Sequence, residues 1–197
     1  MTRRRLVGPA DYARLCVEAY TQGKRPPASP TRVPFTRRAA CFVSLKRGGG
    51  LLRGCIGTLE PAEADLGGEI ARNALAAATR DPRFPPVTPD ELADLSYSVD
   101  VLGIPEPASI EQLDPRRYGV IVCTGWRRGV LLPDLPGVDT VAAQVAIALE
   151  KAGIVAGEDY DVLRFTVTRY HESARSKASP GGESGASLDT GQDPPRG

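Results

Sequence analysis

One thiol in this chain stands in an unusual setting. Leu52-Arg53-Gly54-Cys55-Ile56-Gly57 places Cys55 between two glycines, in a run that otherwise has the composition of a β-strand. Glycine weakens a strand and often marks a bulge or a place where another group comes close to the backbone. Here the pair would clear space round Cys55 and free the amides of Gly54 and Gly57 to bind an anion or a developing oxyanion. Arg53 would lower the thiol pKa if its guanidinium reached the sulfur. It could equally orient a ligand carboxylate or phosphate through paired hydrogen bonds. In such a site Cys55 is a nucleophile. The same residues also fit a small buried hydrophobe whose glycines serve a bulge.

A second cluster is Arg80-Asp81-Pro82-Arg83-Phe84-Pro85-Pro86, which holds charge and an aromatic ring in a proline-stiffened loop. Such a loop presents side chains at little ordering cost. Asp81 is a candidate base or hydrogen-bond acceptor and Arg83 a candidate anion clamp; a local ion pair that stiffens the connection is the competing reading. Asn73 falls on the apolar face of a preceding helix and needs a partner there, as a bridge to a loop or as a site wall. Cys16 lies on a helix stripe, while Cys41 and Cys123 lie in apolar strand runs, so these three thiols read as structural. The single histidine, His171, stands one residue past the last expected strand, and nothing in the sequence brings it to Cys55. Trp126, with Arg127 and Arg128, sits at a hairpin tip, where it either folds back over apolar surface or meets a partner. The chain has no Gly-rich phosphate loop, H-E-x-x-H, G-x-S-x-G or C-x-x-x-C-x-x-C pattern. No cofactor or metal site of its own is therefore expected.

The elements that must position these residues follow from periodicity and punctuation. A helix opens at Pro9-Ala10-Asp11, with Tyr12, Leu15, Cys16 and Ala19 as its buried stripe, and stops at Gly23. The prolines from Pro26 to Pro34 impose an extended loop. Residues 40–45 and 51–59 form a hairpin turning through Arg47-Gly48-Gly49-Gly50. A helix over 62–79 follows, with Leu66, Ile70, Asn73, Ala74 and Ala77 near one face. Thr88-Pro89-Asp90-Glu91 is a capping box that starts a short turn. Leu95, Tyr97, Val99 and Val101 alternate as the apolar side of a strand that ends at Pro105 and Pro107. Residues 118–123 and 128–132 make a second hairpin. Asp139 or Thr140 caps a helix that ends at Gly153. One final strand is expected over 162–170. Helices interleaved with hairpins argue an α+β fold with a mainly antiparallel sheet and packed helices.

Length and composition bound the rest. The 197 residues suit one domain with tails. The net charge of +1 hides an asymmetry, with +7 over residues 1–38 and −6 over the remainder. Without interleaved aromatics the basic stretch is a poor nucleic-acid signature, so nucleic acid is not expected as a partner. No apolar run approaches the ~20 residues needed to span a bilayer, and no secretory leader is visible. Widely spaced cysteines do not look like a disulfide scaffold, so a cytoplasmic protein with reduced thiols is expected. We divide the chain into a basic arm (1–10), a folded domain (11–175) and a Gly/Ser/Pro-rich disordered tail (176–197).

The two clusters, taken with Asp114-Pro115-Arg116-Arg117-Tyr118-Gly119-Val120-Ile121-Val122 and Gly129-Val130-Leu131-Leu132-Pro133, resemble in order and spacing the AMMECR domain family. The resemblance runs from about Asp11 to Tyr170. Asp134 to Gly137, Gly153 and Leu163-Arg164-Phe165 look like its prokaryotic branch, AmmeMemoRadiSam system protein A. It implies a larger and a smaller subdomain with a cleft between them holding the R-G-C-I-G segment. It also implies association with a Memo-type protein related to extradiol dioxygenases and with a radical SAM enzyme. The combined expectation is Cys55-dependent processing of a small anionic or carbonyl substrate, or else a ligand- or partner-binding module that uses the same cleft without catalysis. The site residues would be Cys55 and Asp81 as catalytic groups, with Arg53, Gly54, Gly57, Asn73 and Arg83 binding.

Overall fold

The computed structural model describes residues 7–173. The expected tail and the first six residues of the expected arm lie outside them. Helix α1 (Pro9–Thr21) begins earlier than the arm boundary: Pro9 occupies its first turn, Asp11 accepts the Gly8 N–H at 3.0 Å, and Pro9 and Ala10 are buried. Its buried side is Ala10, Tyr12, Ala13, Cys16 and Val17, and Leu15 is exposed. The stripe is rotated from the expected one because Arg14 is also buried. Its guanidinium is held by Glu172 and by the carbonyls of Leu92 and Leu95.

Strands β1 (Cys41–Arg47) and β2 (Leu51–Gly57) form the first hairpin. Helix α2 (Leu66–Thr79) starts four residues later than expected. Asp65 caps it by accepting the Gly68 N–H, and the N–H groups of Ala62 and Glu63 go instead to the buried carboxylate of Glu69, each at 2.8 Å. Strand β3 (Ser96–Leu102) pairs with β1. A two-residue strand β4 (Glu106–Pro107) follows where an end was expected. Strands β5 (Gly119–Thr124) and β6 (Arg127–Leu131) form the second hairpin, and α3 (Val141–Ala152) runs from the Thr140 cap to a left-handed Gly153. The expected last strand is two strands, β7 (Asp161–Phe165) and β8 (Val167–His171), separated by Thr166.

These strands make two antiparallel four-stranded sheets, β2-β1-β3-β8 and β4-β7-β5-β6. The fold is α+β, as expected. Helices α1 and α2 cover one face of the first sheet and bury the larger core; α3 covers one face of the second and buries the smaller core. The chain leaves the first sheet after β3 and returns through Thr166. Gly103 makes that return possible: its N–H bonds to the Thr166 carbonyl at 2.8 Å, and a side chain at 103 would meet the Thr166 hydroxyl. A third cluster, of Ala40, Leu102, Ile121 and Phe165, joins the two halves.

Candidate functional site

Strand β2 is an edge strand, so half of its main-chain groups lack a strand partner. Gly54 and Ile56 face Leu45 and Val43 of β1, and the Thr58 N–H reaches the Cys41 carbonyl at 3.1 Å. Because amides alternate sides along a strand, those of Cys55 and Gly57 point outward. The Cys55 N–H donates to Asp81 Oδ2 at 2.8 Å. Arg83 Nη2 approaches the Cys55 carbonyl at 3.5 Å. Arg83 also holds Asp81 through Nε at 2.9 Å, Nη2 at 2.7 Å and its own N–H at 3.1 Å. Carboxylate and guanidinium together stand in for the C=O and N–H of a neighbouring strand. The D-P-R spacing permits this. Pro82 presets the turn that the Phe84 N–H closes on the Asp81 carbonyl at 3.1 Å.

This arrangement revises the role expected of Asp81. Its side chain is only 2% exposed, and the Arg83 guanidinium, aided by the Cys55 and Arg83 amides, holds its carboxyl well below the usual carboxylate range. A carboxylate that accepts four hydrogen bonds, one of them from the Cys55 N–H, is fixed in place and positions the Cys55 main chain. Arg83, 54% exposed at its side chain, keeps a solvent-facing guanidinium beside that edge.

The Cys55 side chain projects from the sheet face away from α1 and α2. Its Sγ lies 3.2 Å from the Ser44 hydroxyl, and the thiol is half-buried. Register extends this row across the sheet as Cys55, Ser44, Ser98 and His171. His171 thus shares the face but sits three strands away, roughly 14 Å at ~4.8 Å per strand, too far for a Cys–His pair. Burial pushes the Cys16 thiol up to about 11 and the Cys41 thiol up to about 12.

Arg53 does not face the thiol. It is 4% exposed and forks onto Glu91 with bonds of 2.7 and 2.9 Å, under the ring of Phe84. Arg53 holds the Glu91 carboxyl down, to about 2. Glu91 also closes the expected capping box by accepting the Thr88 N–H at 2.9 Å. The expected ligand clamp is a buried pin for the 84–91 loop.

The glycines answer to packing. A Cβ at Gly54 would stand 2.2 Å from the Ala77 carbonyl of α2, and one at Gly57 2.3 Å from the Phe42 ring. Gly54 also spends its main chain on β1, so of the two glycine amides only that of Gly57 faces outward. Asn73 is a bridge and also part of a wall: buried, it donates to the Cys41 carbonyl at 2.9 Å and to Glu69 at 3.3 Å, and it lines a small recess. That recess, of about 240 Å³, is also bounded by Gly57, Arg72 and Arg80.

The large cleft lies elsewhere. About 1160 Å³ in volume, it opens between the sheets and is lined by residues such as Ala40, Leu59, Leu102, Ile121 and Leu163. It holds none of Cys55, Asp81 or Arg83, contrary to the placement that the resemblance implies. It does hold Cys123, which sequence reasoning took as a structural thiol. The parity of β5 carried the missed signal. Val120 and Val122 face α3, so Ile121 and Cys123 face the cleft. Trp126 is 90% exposed and does not fold back. Part of the basic N-terminal charge is spent internally, with Arg14 buried and Arg32 bonded to the Val7 carbonyl. The four cysteines are free thiols. Among the described residues no three His, Cys, Asp or Glu side chains gather as a metal site, and no helix is long and apolar enough to cross a membrane.

Two antiparallel sheets, each covered on one face by helices and joined by a small shared core, define an α+β protein whose edge strand carries a clamped cysteine. The AMMECR1 family model matches residues 10–174, and the chain belongs to that family. It is 58% identical over 138 residues to a protein of Thermotoga maritima, covering 69% of this chain and 79% of that one. A Clostridium acetobutylicum protein is 55% identical over 132 residues, which are 67% of this chain but 28% of the other. The crystal structure of PH0010 from Pyrococcus horikoshii matches with a TM-score of 0.75 at 30% identity, covering 83% of this chain and 89% of that one.

Proposed function

We propose that this protein acts through the Cys55 face on a small anionic or carbonyl substrate, as the A component of a system with Memo-type and radical SAM partners, in the cytoplasm. The observation that carries the reading is the clamp. Asp81 and Arg83 grip both outward peptide groups of the one thiol that the sequence brackets with glycine, while two of the other three thiols are buried. The chemistry that fits is reversible addition. Cys55 gives its proton to solvent, and the sulfur lone pair forms a C–S bond to the carbonyl carbon. The C=O pair moves to oxygen, which takes a proton from solvent, yielding a hemithioacetal. The Ser44 hydroxyl steadies the thiolate, and Arg83 orients an anionic group on the substrate.

A second reading is binding without catalysis on the same face. It is favoured by the distance of His171, since no imidazole stands next to the thiol to act as its base. Site-resolved alkylation of all four thiols across pH, read by mass spectrometry, separates the two. The first reading expects Cys55 to be the fastest-reacting thiol at neutral pH, with Cys16 and Cys41 inert until alkaline pH. A Cys55 that reacts only at alkaline pH, or a Cys55→Ala protein that supports full activity of the assembled system, sinks the covalent reading and leaves the binding one.

A further inference from the structure

The cleft between the sheets is independent of the Cys55 face and has its own chemistry. Its floor is apolar, formed by the buried Ala40, Leu102 and Ile121 with Leu59 and Leu163. One wall is the face of the second sheet turned away from α3. Across that wall the register sets Arg128 of β6, Cys123 of β5 and Asp161 of β7 side by side, and all three line the cleft. The wall therefore changes sign from one edge to the other, with a thiol midway.

The ends reinforce this polarity. At the β6 end Arg128 meets Glu60 at 2.9 Å, and Arg38 donates to the neighbouring Pro61 carbonyl at 3.1 Å, with Arg37 beside it. Three arginines thus line an end that holds one carboxylate, that of Glu60, and the Arg128–Glu60 pair is exposed enough to exchange partners. At the other end the 108–111 segment runs along the outer side of β7, held by the Ala108 N–H on the Val162 carbonyl at 3.0 Å. It brings Glu111 to the side of Asp161, and no cation lines that end among the described residues.

A purely anionic ligand would gain at one end and be repelled at the other, and a cation the reverse. A dipolar ligand gains at both. The three-strand wall separates Arg128 from Asp161 by roughly 10 Å, which matches an extended chain of about three residues at ~3.4 Å each. We propose that the cleft binds a short zwitterionic peptide with apolar side chains. Its carboxylate would lie toward Arg37, Arg38 and Arg128, its ammonium toward Asp161 and Glu111, and its side chains on the apolar floor.

Trileucine, its N-acetyl form, its C-terminal amide and decanoate are the probes, used on the full chain. Titration calorimetry measures binding, and the alkylation rates of Cys123 and Cys55 report location. The expected result is saturable binding of free trileucine that slows Cys123 alkylation and leaves Cys55 unchanged. Blocking either terminus should weaken binding about tenfold, the loss of one charge-assisted contact. Asp161→Asn should weaken free trileucine but not the acetylated form, and Arg128→Ala should weaken it but not the amide. Equal binding of the amide or tighter binding of decanoate overturns the dipolar assignment. Absence of saturable binding at millimolar peptide, or protection of Cys55 instead of Cys123, overturns the site. If a variant fails to fold, the capped peptides on the unaltered protein still decide the question. Because the two thiols are read separately, failure here is distinct from failure of the Cys55 reading.

Discussion

At the scale of single residues, the clearest assignment is that Asp81 is an anchor. Its carboxylate is sealed, accepts from two amides and a guanidinium, and is held ionised. Losing the charge on a buried, multiply bonded carboxylate removes charge-assisted hydrogen bonds worth about 2 kcal/mol in total effect. Asp81→Asn should therefore lower unfolding stability by about that amount at neutral pH. The pH dependence has a definite sign. The folded-state pKa lies below the ordinary value of 3.8, so the clamp's contribution is present above that pH and fades as pH falls below it. Urea titrations at pH 7 and pH 3 should show the gap between the two proteins shrinking in acid. A gap that is unchanged or wider at pH 3 would refute the ionised anchor. The same variant should raise the exposure of the Cys55 amide to hydrogen exchange, since that N–H loses its buried acceptor.

At the scale of elements, the two halves solve one packing problem twice. Each has a hairpin whose return strand carries a glycine, and each glycine admits a helix. Gly54 lets α2 approach until a Cβ there would stand 2.2 Å from the Ala77 carbonyl. Gly129 does the same for α3, where a Cβ would stand 1.7 Å from the Ala148 carbonyl. Both helices are rich in alanine where they touch, so backbone meets backbone. Gly54→Ala and Gly129→Ala must push a helix off its sheet and should each cost about 2–3 kcal/mol, at the upper end for overpacking. Gly48→Ala, in open space without a positive φ, should change stability by less than about 0.5 kcal/mol. Thermal melts of the three variants test this, and a silent Gly54→Ala would return that glycine to the site. Much of this level was legible in the sequence. The hairpins, the three helices, the Thr88–Glu91 box and the Gly153 cap follow from local chemistry, and local chemistry is what a sequence displays. The rest depends on partners distant in the chain. Arg53 meets Glu91 across 38 residues and Cys55 meets Asp81 across 26, so an arginine beside a thiol and an aspartate in a proline loop read as reactive groups. The role of Gly54 is hidden for the same reason: the Ala77 carbonyl that explains it lies 23 residues away.

At the scale of the whole molecule, the segment 161–171 decides whether the halves behave as one. Its β-branched and aromatic residues read as a continuous strand, because propensity is blind to which sheet a residue joins. The actual break at Thr166 gives β7 to the second sheet and β8 to the first. The far end of β8 is then tied down, with Glu172 accepting from Arg14 at 2.9 Å and from the Tyr97 N–H at 2.9 Å. Beside the break, Phe165 is 1% exposed and lies over Gly119, in the cluster with Leu102, Ile121 and Ala40. This small shared core, with the continuous chain, is what couples two otherwise separate cores. The intact protein should unfold in one transition, so that loss of circular dichroism and exposure of Cys16 and Cys41 to a thiol reagent coincide across a urea series. Trp126 is too exposed to report either event. Phe165→Ala should cost about 3–5 kcal/mol, the usual range for truncating a buried phenylalanine. It should also separate the probes: part of the dichroism is lost with the second sheet at lower urea, while Cys16 and Cys41 remain protected in the first. Coincident probes at a cost below about 1 kcal/mol would mean that the halves are coupled elsewhere, with the Glu172 tie to Arg14 the next place to cut.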